Sequence, residues 1–269
     1  MMSKVILVVL DGLTCASASI NMGYLNALCK ENLGKFYSLK CELPSMSRPL
    51  YECLLTGVKP VLSGIINNEF SISKQVSVFE LCKKQGLRAG AGAYHWVFEL
   101  YNKQKFIPAL HRHIEDENLT LPYGHFYYED DYLDSHLFSD AENLRLRKNL
   151  DFLLIHSMNI DDTGHKFGSH SNEYANKTKK ADIIISYYLD TWLKEGFNVI
   201  VTSDHGMGAE KSHGGLSDDE TLVPFFSFGP AFSYEDAEFK QDEICGTICE
   251  ILGLSHDKKI SKKLLKAAK

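Results

Sequence analysis

The chain has 269 residues, 44% of them hydrophobic and 24% charged, with a formal net charge of −6 at pH 7. That length and composition suit one large α/β domain with a sizeable core and exclude a disordered polymer. With no basic excess, a nucleic-acid polymer is not an expected partner, and no apolar run reaches the length of a membrane span.

Residues 4–10 (KVILVVL) form a continuous apolar, β-branched run that stops at Asp11-Gly12. Such a run reads as a strand buried on both faces, the kind found in parallel sheets, and not as a secretory signal, because an acidic residue ends it and no small-residue cleavage site follows. Residues 48–56 read as helix after Pro44, and 76–85 read as a second helix that stops at Gly86. Residues 88–94 (RAGAGAY) are a weaker strand candidate. The stretch 96–149, rich in Tyr, His, Asp and Asn, breaks the rhythm and is read as a small insertion or cap near the site. Strands follow at 151–157 (DFLLIHS), 197–203 (FNVIVTS) and 222–228 (LVPFFSF). One long amphipathic helix is expected over 172–195, and another over 242–252 ending at Gly253. The basic tail from His256 reads as a solvated, partly helical terminus.

Strands alternating with helices predict an α/β fold: a single domain over 1–269, built as a three-layer α/β/α sandwich around a mostly parallel central sheet. The cysteine count, seven, is odd and contains no C-x-x-C pair. Reduced thiols and a cytoplasmic location are therefore expected, with Cys245 and Cys249 packing together on one helix face.

In an open α/β sheet, ligands bind beyond the carboxyl ends of the strands. Asp11 follows the first strand. Asp161, Asp162 and His165 follow the 151–157 strand. Asp204 and His205 follow the 197–203 strand, with His213 a few residues on. Taken alone, Asp11 would be a turn or cap residue. Asp204-His205 ending a buried strand, in contrast, needs a partner or a metal. Oxygen and nitrogen donors without a thiolate suit zinc or manganese in a catalytic site that keeps positions open for substrate. Bound cations would also let an acidic chain act on anions.

A second signal is Pro44-Ser45-Met46-Ser47-Arg48-Pro49, leading into a helix. A hydroxyl there faces free backbone N–H groups, and a nearby metal would make its alkoxide accessible. Ser45 competes with Ser47 for this role, and Asp162 is the substitute for Asp161. His156, inside an apolar run, reads as a core residue. His170 reads as surface, and the histidines at 111, 113, 125 and 136 as surface or pocket wall. The G-x-S-x-G elbow, the P-loop and the dinucleotide fingerprint are all missing.

These blocks together resemble the alkaline phosphatase superfamily, and within it the type I phosphodiesterase/nucleotide pyrophosphatase branch. VVLDG carries the first metal aspartate, here Asp11. PSMSRPLYECLLTG matches the nucleophile block and places the nucleophile at Ser47. Gly64-Ile65-Ile66-Asn67-Asn68 matches the G-I-x-x-N block, D-x-x-G-H matches Asp161 and His165, SDHGM matches Asp204 and His205, and the late H-G matches His213. Six blocks in the correct order make the signal specific, although each alone is weak.

The resemblance implies two divalent ions, zinc or alternatively manganese. One would take Asp161, His165 and His213, and the other Asp11, Asp204, His205 and the Ser47 oxygen. It implies that Asn68 binds a phosphoryl oxygen, helped by the amide of Arg48. Arg48 stands where relatives carry an aromatic, and its side chain is expected either at the substrate or in a surface pair. The implied activity is two-metal hydrolysis of small phosphate esters through a phosphoseryl intermediate on Ser47, with diesters preferred. The alternatives are a phosphomonoesterase, a phosphonate hydrolase, or a member that only binds metal or ligand. The oligomeric state is left open.

Overall fold

The computed structural model describes residues 3–267. Its centre is one eight-stranded sheet: β1 (Lys4–Leu10), β2 (Gly34–Lys40), β3 (Ala89–Tyr94), β4 (His113–Glu115), β5 (Tyr123–Tyr127), β6 (Phe152–Ser157), β7 (Phe197–Thr202) and β8 (Leu222–Phe228), in the order β2-β8-β7-β1-β6-β3-β5-β4. β7, β1, β6, β3 and β5 form a continuous parallel block. β8 runs against both β7 and β2, and β4 runs against β5. Six strands therefore share one direction.

β1 shows why the sheet lies inside the molecule. Val5, Leu7 and Val9 enter one apolar layer, while Ile6, Val8 and Leu10 enter the other. A strand with both faces buried cannot alternate with polar residues, hence the unbroken apolar run. Burying each such side chain contributes about 1.5–3 kcal/mol. The first layer includes the Ser47–Thr56, Val78–Lys84, His95–Asn102 and Ile244–Ile251 helices. The opposite layer includes the Asp134–Lys148 and Asn172–Ser186 helices. The result is the expected α/β/α sandwich. Cys245 and Cys249 are both buried in the first layer. No described helix is long and apolar enough to cross a membrane.

Within the stretch 96–149, read from sequence as an insertion or cap, two strands and a helix join the sheet and the sandwich. β4 and β5 extend the sheet beyond β3, and the Asp134–Lys148 helix packs Leu137, Phe138, Ala141 and Leu144 into the core. Its close approach explains the weak strand signal at 88–94. A Cβ at Gly92 would lie 2.9 Å from the Ala141 Cβ and one at Gly90 3.3 Å from Leu144 Cδ2, so glycine is what lets this helix and β3 meet so closely. The long helix expected over 172–195 is two, Asn172–Ser186 and Leu189–Lys194, separated at Tyr187-Tyr188. Among the described residues of the tail, Lys262–Leu264 forms a 3-10 turn and no α-helix follows His256.

Candidate active site

β1, β6 and β7 are adjacent, and their carboxyl ends deliver the acidic residues to one place. Asp11 follows β1 directly, and its amide donates to the Ser157 carbonyl at 2.9 Å. Asp204 follows β7 and, like Asp11, is fully buried. Asp161 lies in the first turn of the Asn159–Phe167 helix, which begins just beyond β6. His165 is one turn later on the same face, with Nε2 3.3 Å from Asp161 Oδ2. Asp162 points elsewhere and pairs with Lys166 at 2.7 Å. Gly12 has a φ of +70°, and a Cβ on it would lie 2.8 Å from Asp161 Oδ1. Glycine is thus what allows the β1 turn and Asp161 to sit together.

Three histidines are held in the same manner. Nδ1 of His205 lies 2.8 Å from the Gly206 carbonyl, Nδ1 of His165 lies 3.0 Å from that of Lys211, and Nδ1 of His213 lies 2.8 Å from that of Ser45. A carbonyl can only accept, so each Nδ1 is the protonated donor and each Nε2 is turned inward. His205 Nε2 is 3.4 Å from both Asp11 Oδ1 and Asp204 Oδ2, and His213 Nε2 is 3.6 Å from Asp161 Oδ1. This is the outer-shell arrangement that fixes metal-ligating imidazoles in one tautomer.

Facing these imidazoles, Asp11 Oδ1, Asp161 Oδ1 and Asp204 Oδ2 are buried and accept no hydrogen bond among the described residues. Carboxylate oxygens this deep require a compensating charge. Two triplets have ligand atoms within 4.8 Å of one another: Asp161, His205 and His213, and Asp11, Asp204 and His205. His205 belongs to both. His165 stands outside these triplets, with a side chain 46% exposed. The donor set and its orphaned oxygens fit divalent cations.

The local electrostatics follow from this crowding. Burial, reinforced by Asp204 and Asp161, pushes the Asp11 carboxyl well above the usual carboxylate range. Burial also acts to raise Asp161, but the His165 hydrogen bond and the neighbouring imidazoles outweigh it and hold that carboxyl low. His165 is raised to about 9, first by its hydrogen bond to Asp161. Burial, then the His205 charge, pushes His213 down to about 4. Charge in the cluster is therefore set by neighbours and not by the bulk solvent.

Ser47 opens the Ser47–Thr56 helix, and its Oγ lies 3.0 Å from His205 Nε2. Ser45 faces away, and its hydroxyl donates to the Gly215 carbonyl at 2.9 Å. The Arg48 amide donates to Asn68 Oδ1 at 3.0 Å. That amide therefore orients the Asn68 carboxamide instead of facing a substrate, and the Asn68 amide nitrogen makes no hydrogen bond among the described residues. The Arg48 guanidinium is at neither of its expected places. It is buried over the Trp96 ring, 4.7 Å from the centroid, and pairs with Glu99 at 2.8 Å.

Two neighbours of Asp11 were not expected from sequence. Tyr51 donates to Asp11 Oδ2, and His156 Nε2 lies 3.1 Å from the same oxygen. His156 is in the core as expected, but it is the penultimate residue of β6, next to the carboxyl end where the site lies. That position was the available signal.

A family model for type I phosphodiesterase/nucleotide pyrophosphatase matches residues 5–224. The chain belongs to the type I phosphodiesterase/nucleotide pyrophosphatase family, within the alkaline phosphatase superfamily. The catalytic subunit of human GPI ethanolamine phosphate transferase 2 is 23% identical over 94% of the chain, which spans 26% of that relative's length. Rat ectonucleotide pyrophosphatase/phosphodiesterase family member 7 is 38% identical over 30% of the chain and 18% of its own length. Among solved structures, murine ectonucleotide pyrophosphatase/phosphodiesterase 5 aligns with a TM-score of 0.76 and 13% identity, covering 98% of this chain and 100% of that one. An inactive form of the same murine protein, in complex with AMP, gives a TM-score of 0.75. At this identity the likeness is one of fold.

Proposed function

We propose that the chain cleaves small phosphate esters, diesters foremost, by phosphoryl transfer to Ser47, with two divalent cations held by Asp11, Asp161, His165, Asp204, His205 and His213. The observation that carries this reading is the Ser47 hydroxyl at a helix N-terminus, 3.0 Å from His205 Nε2 and beside buried carboxylate oxygens that lack donors. When bound, the cations would supply Lewis-acid stabilisation of the phosphoryl charge and activation of the hydroxyl. The donor chemistry suits zinc, with manganese the alternative.

The residues of the chain account for the rest. The helix N-terminus offers its partial positive charge to a phosphoryl oxygen beside Ser47. Asn68, oriented by the Arg48 amide, directs its amide nitrogen to another phosphoryl oxygen. Ser47 Oγ attacks phosphorus and loses its proton, the ester oxygen leaves and is protonated to the alcohol, and a phosphoseryl intermediate forms that still carries the second ester when the substrate is a diester. Water then attacks that phosphorus and regenerates the serine. The AMP complex of the murine relative supports a nucleotide-like or similarly small phosphate ester as substrate.

A second reading is transfer in place of hydrolysis. It is favoured by the match of nearly the whole chain to a protein named as an ethanolamine phosphate transferase. The two readings share the phosphoserine and differ only in whether water or an alcohol accepts the phosphoryl group. Purified protein reconstituted with zinc or manganese should release nitrophenol from a nitrophenyl phosphodiester, and Ser47→Ala should abolish this. Adding ethanolamine or glycerol and following the phosphorus-containing product separates hydrolysis from transfer. Full turnover by Ser47→Ala would overturn the assignment of the nucleophile. The seven unpaired thiols support a reducing, cytoplasmic setting, which cell fractionation would test.

A further inference from the structure

We propose that Tyr51 and His156 are positioning residues that turn Asp11 into a one-oxygen ligand and couple it to the nucleophile; this rests on the two-cation reading above. Asp11, Tyr51 and His156 are all buried. Tyr51 has a single hydroxyl proton and donates it to Asp11 Oδ2. His156 Nε2 lies 3.1 Å from that oxygen, while its Nδ1 is buried and meets no partner among the described residues. A proton on Nδ1 would leave a buried N–H unpaired and set a bare Nε2 lone pair against a carboxylate oxygen. The proton therefore belongs on Nε2 and is donated to Oδ2, and Nδ1 keeps only a lone pair. The two rings also meet edge to face, with centroids 4.4 Å apart, which fixes both donors.

Oδ2 thus accepts two hydrogen bonds and Oδ1 accepts none. Oδ1 is the oxygen directed at His205 Nε2, 3.4 Å away. A carboxylate held in this way offers one defined oxygen to a cation and cannot swing to chelate with both. The same bond reaches the nucleophile. Ser47 and Tyr51 are four residues apart on one helix, so they share a face. The Tyr51 hydroxyl consequently pins that face of the nucleophile helix to the carboxylate at the end of β1. Neither residue needs to touch substrate.

The test is a zinc titration of the purified full chain, without substrate, against a chromophoric chelator. It compares wild type, Tyr51→Phe, His156→Leu and His156→Gln, the last placing an amide donor near the Nε2 position. Wild type should bind two ions. Tyr51→Phe and His156→Leu should each weaken one of the two affinities by about 10- to 100-fold, leave the other unchanged, and lower kcat more than they raise KM. His156→Gln should recover most of the loss. A general packing defect would lower both affinities together, and that result would overturn the proposal. Wild type that binds no ion overturns the two-cation reading and this proposal with it. Wild type that binds two while both variants bind them equally tightly overturns the positioning role alone. Melting curves establish folding, and if His156→Leu does not fold, Tyr51→Phe decides.

Discussion

Glu52 is a buried carboxyl on the nucleophile helix, five residues from Ser47 and fully shielded from solvent. Its Oε1 accepts the Ser73 hydroxyl at 2.6 Å, while Oε2 has no partner among the described residues. Burial pushes its pKa from 4.5 up to about 7, against the lowering effects of Ser73, Tyr101 and two distant lysines. A raised folded-state pKa means that the folded protein holds a proton which the unfolded chain has released. The resulting stability is fully present below pH 4.5 and is lost as pH rises through about 7. At about 1.4 kcal/mol for each pH unit, the loss over that window is about 3 kcal/mol. Glu52→Gln should remove this pH dependence. The variant gains on wild type steadily across the window, and the gain levels off above it. Urea unfolding of both proteins at a series of pH values measures the difference directly. A wild-type-minus-variant difference that is flat with pH would refute the reasoning. A difference of opposite slope would mean that the folded protein binds ionised Glu52 favourably.

Other outcomes follow from the same geometry. Ser47→Ala should lower kcat at least about a thousandfold and leave zinc-loaded protein folded, as read by steady-state kinetics and circular dichroism. Glu99→Gln leaves the Arg48 guanidinium buried without its partner and should cost about 3–5 kcal/mol in urea unfolding. Gly12→Ala forces a methyl against Asp161 at a positive φ, so calorimetry should show weakened zinc binding beyond the backbone cost of about 1–2 kcal/mol. Removing metal with a chelator should abolish ester cleavage, and readdition of zinc or manganese should restore it; cleavage that survives in metal-free protein would contradict the proposed chemistry.

The fold was legible wherever burial leaves a one-dimensional trace. The runs in β1, β6, β7 and β8 are apolar because both faces are covered, and the expected bounds agree with the observed strands to within a residue. β2 was missed because GKFYSLK lies at the sheet edge, with polar and exposed positions along it. β5 was missed because YGHFY is short, and its glycine, tyrosines and histidine read as a loop. Both belong to the sheet through pairing with distant strands, which no local pattern records. The acidic and imidazole residues at the strand ends were legible because charge ending an apolar run is conspicuous. Tyr51, His156 and the Arg48–Glu99 pair were not, since each role depends on a partner far along the chain. Arg48 and Glu99 are 51 positions apart, and only the packing of two helices reveals why an arginine can replace an aromatic there.

The pairing of the three central strands has a consequence for how this chain can change. Leu10 is in register with Ser157, and Val9 with Thr202. The three aspartates are thus counted from a common origin at the paired positions Val9, His156 and Thr202: Asp11 two residues past it, Asp161 five and Asp204 two. A residue inserted within β1 would displace Asp11 by about 3.3 Å and turn its side chain to the opposite face. A residue inserted in a loop that holds none of the site residues, such as 234–240, leaves the count of every aspartate and histidine of the site intact. Length variation should therefore be tolerated in loops that hold no site residue and forbidden in the strands that carry the aspartates, which separates the parts of the chain that can change length from the part that must remain fixed.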